Sequence, residues 1–208
     1  MADFKKQYPT QGDLAREQLR RRGLPFFVDV QEEVKARLAR LPAPAWKAFA
    51  LSCAERVMQE HERLPPAERS PSAALWRPRL DALWTALRQG QEETLRRSLA
   101  AWLREVDDLD DTDPAMPAVY AVECFAQGNA ESAAWAASTA VDGAFEIAIA
   151  ELQLDPNDFV WDPDAAPMPL AQEAMHSAVQ GELAHQRETL TLLEARGVTP
   201  DVLDALAR

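Results

Sequence analysis

"QEETLRRSLAAWLREVDDLDDTDPAMPAVYAVECFAQG", residues 91–128, decides how this chain folds. Its opening part sets Leu95, Leu99, Trp102, Leu103 and Val106 at helical intervals, with acids first and arginines further along, as the helix dipole favours. At its centre, residues 107–114 put five aspartates into eight positions with no cation beside them. Aspartate is a poor residue for a helix interior because its short side chain competes for nearby backbone amides. Pro114 and Pro117 suit the start of a new helix, and Asp113 is a natural cap before it. The stretch therefore reads as helix, acidic connector, helix.

The same grammar extends in both directions. Towards the N-terminus, "DVQEEVKARLARLP" (29–42) opens on Asp29 with Glu32 at capping-box spacing. "APAWKAFALSCAERVMQEHERLPP" (43–66) lines up Trp46, Phe49, Ala50, Cys53 and Val57 on one stripe, has Pro44 in its first turn, and closes at Pro65 and Pro66. "ALWRPRLDALWTALRQG" (74–90) places Leu80, Leu83, Trp84 and Leu87 on one face; Pro78 is expected in its first turn and Gly90 at its C-terminal cap. Towards the C-terminus, residues 129–154 carry many alanines and set Ala134, Ala137, Val141, Phe145 and Ala148 on one face. A proline-rich loop, "DPNDFVWDPDAAPMP" (155–169), leads to one long helix from Pro169 to Arg196 with Met175, Val179, Leu183, Leu190 and Leu193 inward. A short helix from Thr199 and Pro200 ends the chain, and only "PFFVDV" (25–30) has any strand character. The expectation is an all-α, single-domain bundle of about seven to nine helices over 26–208, preceded by an extension, 1–25, with a short basic helix.

At 208 residues and 47% hydrophobic content, the chain is long enough to bury about 70% of its unfolded surface. Cys53 and Cys124 sit among apolar neighbours and far apart, as reduced, buried thiols do. No signal-like or bilayer-length apolar stretch is present, so a soluble, cytoplasmic protein is expected. The net charge of −12 is unevenly spread: residues 1–104 carry 19 Lys and Arg against 13 acids, whereas residues 105–208 carry 3 against 21. From Glu105 to Gln186 there is neither lysine nor arginine, so this half forgoes the mixed-sign pairing of an ordinary helical surface.

Catalytic and metal chemistry find little support in the residues. The aspartate run fails as a calcium loop, since counting from Asp108 the turn position holds Asp113 instead of glycine and the twelfth holds Val119 instead of glutamate. Glu173 with His176 and Glu182 with His185 repeat the Glu-x-x-His spacing of di-iron bundles, but on one continuous helix the two pairs would point to opposite faces. These histidines are therefore read as surface or capping residues, and His61 as solvated. There is no nucleophile elbow, no phosphate-cradling glycine loop and no dinucleotide fingerprint. Trp46, Trp84 and Trp102 share stripes with aliphatic residues and read as core; Trp161, among aspartates, reads as a cap on the core or a partner anchor.

The order "LPAPAWKAFALSCAERVMQEHE", "RLDALWTAL", an acidic connector and "PAVYAVECFAQGNAESAAWAAS" resembles the domain-of-unknown-function 416 family, the YjaG-like small bacterial helical proteins. It also resembles all-helical immunity proteins of polymorphic toxin systems. The likeness runs from about residue 30 to residue 196 and rests on Trp46, Phe49, Cys53, Glu55, Arg56, Leu80, Asp81, Trp84, Tyr120 and Ala121. It implies a helical fold and no catalytic residue. The basic N-terminal extension and the acidic second half depart from it.

Two functions follow as expectations. The first is a non-catalytic interaction protein, an immunity or inhibitor protein whose acidic surface covers a basic toxin partner. It would use Asp107, Asp108, Asp110, Asp111 and Asp113 in the first acidic loop and Asp158, Trp161, Asp162 and Asp164 in the second. This reading needs no metal, cofactor, nucleic acid or membrane, and it requires an anionic exterior left without internal counterions. The alternative is a bundle that binds a metal or small molecule as an enzyme or signalling accessory, with Glu123, Glu146 and Glu151 converging.

Overall fold

In the computed structural model, the chain is described over residues 10–106, 109, 113–153 and 168–207. Ten α-helices follow one another: α1 (Gln11–Arg21), α2 (Phe27–Leu38), α3 (Ala43–Glu62), α4 (Pro71–Gln89), α5 (Arg96–Trp102), α6 (Met116–Gln127), α7 (Ala130–Leu152), α8 (Pro169–Met175), α9 (Ser177–Arg196) and α10 (Pro200–Leu206). No strand occurs among the described residues. The fold is all-α. "PFFVDV" lies at the entry to α2 and within it, with Phe27 edge-on to Phe145 at 5.0 Å.

α7 lies at the centre of the bundle and touches α2, α3, α6, α8 and α9. Its buried alanines, among them Ala133, Ala136, Ala137 and Ala140, keep the side-chain layer thin, so several neighbours can approach one helix. α3 is the second hub, meeting α4, α6, α7, α9 and α10, and buries Phe49, Leu51, Cys53 and Met58. The expected stripes on α4, α7 and α9 face this core: Leu80, Leu83, Trp84, Val141, Val179, Leu183, Leu190 and Leu193 are all buried. A smaller cluster joins α1 to α8 through Ala15, Leu19, Phe26, Ala171 and Ala174. Both cysteines are free and buried. Burial pushes the Cys124 thiol up to about 12 and Cys53 well above its ordinary value.

Several local expectations are corrected. The capping box is on α1, where Thr10 and Asp13 satisfy each other's backbone amides, and α2 begins without a side-chain cap. Asp29 instead meets Arg16 at 3.1 Å. α4 starts two turns earlier than Pro78, with Ser70 capping and Pro71 in the first turn, so Pro78 lies inside the helix. The segment before the acidic connector is divided into 3-10 turns at Glu92–Leu95 and Leu103–Glu105 around a short α5. The long C-terminal helix is broken at His176, whose extended ψ of 145° separates α8 from α9 and yields a tenth helix. Gly90 and Gly128 adopt left-handed conformations, φ 62° and 65°, and end α4 and α6 as glycine caps.

Candidate functional site

Of the residues assigned to partner binding, only Asp113 lies within the described region; Asp107, Asp108, Asp110, Asp111, Asp158, Trp161, Asp162 and Asp164 lie outside it. Asp113 is engaged internally. Its carboxylate accepts from Ser72 Oγ at 2.6 Å and from the Ala115 amide at 2.8 Å, which holds the turn ahead of α6 against the start of α4. Asp113 is therefore not the cap of α6 expected from the sequence: Ala115 holds the N-cap position, without a side-chain cap bond, and Asp113 braces the turn before it.

The expected absence of internal counterions holds for part of the acidic half only. Arg37 pairs with Glu194 at 2.8 Å, Arg88 with Asp204 at 3.1 Å, Arg56 with Glu182 at 2.9 Å, and Arg79 with Glu105. Arginines of the first half thus neutralise α9, α10 and the end of the α5 segment. The middle is different. Glu123 on α6, Glu131, Asp142 and Glu146 on α7, and Glu173 on α8 have no described cation within ion-pair distance. Burial, and then the Glu146 carboxylate nearby, raise the Glu173 carboxyl above its ordinary value.

α7 turns one stripe outward. Glu131, Trp135, Asp142, Glu146 and Ile149 are exposed and fall within about 60° of one another at 100° per residue. Trp135 keeps 51% of its surface in solvent and stacks on Tyr120, their centroids 6.1 Å apart. Ile149 is 44% exposed. Sequence reasoning passed over Trp135 because it followed the inward face of α7. The signal was present: at 100° per residue Trp135 falls on the same side of α7 as Glu131, Asp142 and Glu146.

A second feature lies where α3 meets α9. Glu182 is 2% exposed, accepts from Gln186 Nε2 at 2.9 Å and faces Arg56 Nε at 2.9 Å, although that N–H is not aimed along the contact. Gly181 makes room for this guanidinium, since a Cβ there would come within 3.3 Å of it. Burial lifts the Glu182 carboxyl to about 7 against the opposing pull of Gln186 and Arg56. His185, half-buried and 3.0 Å from Ser52 Oγ, is pushed down to about 4 by burial and by the Arg56 charge. His185 is therefore not the surface or capping residue that the sequence led one to expect. His176 is a cap, its Nδ1 accepting from the Ala178 amide at 3.3 Å while Nε2 lies 3.1 Å from Glu151. His61 is not a solvated side chain either; its Nε2 accepts from the Ser70 amide at 2.7 Å and ties the end of α3 to the start of α4.

No family model, no curated protein and no solved structure matches this chain. What it does must be read from its own side chains. Among the described residues, no three histidine, cysteine or acidic side chains are grouped to hold a metal ion, and Glu123, Glu146 and Glu151 form no such group. No helix among them is long and apolar enough to cross a membrane.

The Arg56–Glu182 pair divides two recesses. On one side is a polar cleft of about 400 Å³ bounded by Ser52, Glu55, Gln59, Arg63, His185 and Glu188. On the other is an apolar cavity of about 440 Å³ between the end of α3, the start of α6, the middle of α7 and the start of α9. Glu182 lines only the second, Arg56 only the first, and Glu60 lines both.

Proposed function

We propose that this chain is a non-catalytic interaction protein of the immunity or inhibitor kind, and that it captures a basic protein partner on the outer face of α7. The observation that carries this reading is the stripe Glu131, Trp135, Asp142, Glu146 and Ile149, which combines uncompensated carboxylates with two exposed apolar side chains. A large aromatic side chain held in place by stacking is the kind of anchor that dominates binding energy, while carboxylates around it steer a cationic surface and exclude anionic ones. Lys35, which shares a recess with Glu131 and Trp135, is paired with Glu32 at 3.0 Å. An acidic face of this sort repels nucleic acid and favours fast, salt-sensitive association with a basic protein.

The test is a titration of the purified chain against each basic protein encoded by a neighbouring open reading frame, at low and high salt. Affinity should fall steeply as salt rises. Trp135→Ala should weaken binding by about 30-fold, the mark of an anchor residue. Glu131→Gln with Asp142→Asn and Glu146→Gln should slow association and flatten the salt dependence. A complex that forms equally well with all of these variants would remove α7 from the interface, and no complex at low salt would refute the reading.

A further inference from the structure

The apolar cavity opposite Arg56 has a composition that packing alone does not require. Its walls include Val57 and Leu64 of the α3 end, Pro117 of α6, Ile147 of α7 and Ala178 of α9. Leu64 and Ile147 remain 39% and 36% exposed, so apolar surface is left uncovered at the mouth. Five carboxylates line the same space, those of Glu60, Glu68, Asp113, Glu146 and Glu182, against one guanidinium, Arg69. Arg69 donates from Nε to the Leu64 carbonyl at 2.8 Å and pairs with none of these carboxylates. Arg56 stands behind Glu182 and reaches Glu60 only at 3.6 Å, so it offsets one of the two. The cavity keeps a surplus of negative charge, its deepest carboxylate, Glu182, being almost wholly out of water.

Cavities of about 300–1,000 Å³ with apolar walls and a few convergent polar groups are the form that small-molecule sites take. A buried carboxylate beneath such walls selects for a cation, because the charge lost from water is recovered only against an opposite charge. An anion would meet five carboxylates, and a neutral apolar molecule would leave Glu182 without added compensation. We infer that this cavity binds a small organic ammonium ion, its apolar body between α3 and α7 and its charged head directed at Glu182 and Glu60. The cavity shares Glu146 with the outer stripe of α7, whereas Glu182 and Glu60 belong to the cavity and Trp135 to the stripe alone.

Gly143 supplies a clean test. It lies in the middle of α7 on the cavity wall, with nothing within 4 Å of where a Cβ would be. Gly143→Leu therefore fills the space without displacing the helix. Calorimetric titration of the full chain with phenethylammonium, benzylammonium and cyclohexylammonium should show saturable binding, and phenethyl alcohol, the neutral isostere, should bind about tenfold or more weakly. Gly143→Leu should abolish binding and Glu182→Gln should weaken it about tenfold or more, while Trp135→Ala leaves it unchanged. Absence of binding by all three amines, equal binding of the alcohol, or undiminished binding to Gly143→Leu would each overturn the assignment. Should Glu182→Gln fail to fold by circular dichroism, the Gly143→Leu and alcohol comparisons decide.

Discussion

Glu182 and His185 are one helical turn apart and titrate in opposite senses. Burial raises the Glu182 carboxyl from an ordinary 4.5 to about 7 and lowers the His185 imidazole from 6.5 to about 4. A carboxyl with a raised folded pKa stabilises the fold below its unfolded value, and that contribution is lost as pH climbs through 7. An imidazole with a lowered folded pKa contributes above its unfolded value and loses that contribution as pH falls towards 4. Between pH 4.5 and 6.5 the two oppose each other. His185→Gln should unmask Glu182: relative to the parent chain, the variant gains stability on acidification through this window by up to about 1.4 kcal/mol per pH unit. Urea unfolding at stepped pH measures the difference, and a difference independent of pH would show that the imidazole is not held neutral by the fold. Ser52, which keeps 1% exposure and bonds His185 at 3.0 Å, can still reach the shorter amide.

α3 and α4 are joined by a polar clamp within their interface. Glu55, 4% exposed, accepts two bonds from Arg77 at 2.8 and 2.9 Å, one from Trp84 Nε1 at 3.0 Å and one from Gln59 at 2.9 Å. This carboxylate is fully satisfied, so it can sit against the core. Glu55→Ala leaves the indole N–H unpaired and the guanidinium held only from its Asp81 side, and should cost about 3 kcal/mol, the usual penalty for removing one member of a buried pair. Chemical denaturation of Glu55→Ala and of Glu55→Leu with Arg77→Met separates the effects: the double substitution, which removes both charges, should recover most of the loss. Equal losses would show that packing, not charge, holds α3 to α4. The resemblance drawn from the sequence included Glu55, Asp81 and Trp84, and these three belong to the network around Arg77, with Asp81 also meeting that guanidinium. Their shared role is structural.

Among the described residues, arginines pair with carboxylates of α9 and α10, whereas those of Glu123, Glu131, Asp142, Glu146 and Glu173 have no cation within ion-pair distance. Arginines of the first half reach the far ends of the chain at Glu194 and Asp204, while the carboxylates of α7 and α8 repel each other. Self-repulsion of this kind loosens a compact state and is relieved by screening. The melting temperature should therefore rise with added sodium chloride at neutral pH, and the rise should shrink in Glu146→Gln with Glu173→Gln, which should also melt slightly higher than the parent at low salt. Calorimetric melts across a salt series measure both. A parent chain that loses stability as salt increases would mean that the ion pairs outweigh the repulsion. Were the α7 stripe the partner site, the same substitutions would stabilise the chain and weaken capture, a trade seen where function requires a strained surface.

Periodicity and capping carried the fold class and most helices, because an apolar stripe at 3.6-residue spacing can be buried in only one way. The glycine cap at Gly90 and the inward faces of α4, α7 and α9 were legible from such local patterns. The break at His176 was not, since neither proline nor glycine marks it; it depends on a side-chain nitrogen meeting the Ala178 amide and on Glu151 from another helix. The candidate site was legible only as ingredients. Local sequence records which residues are charged, and the −18 balance of the second half was plain. Whether a carboxylate ends in solvent, against an arginine from a distant helix or beneath an apolar cavity depends on how helices far apart in the chain pack. That packing buried Glu182 against Arg56, left Trp135 facing outward, and opened the cavity between α3 and α7.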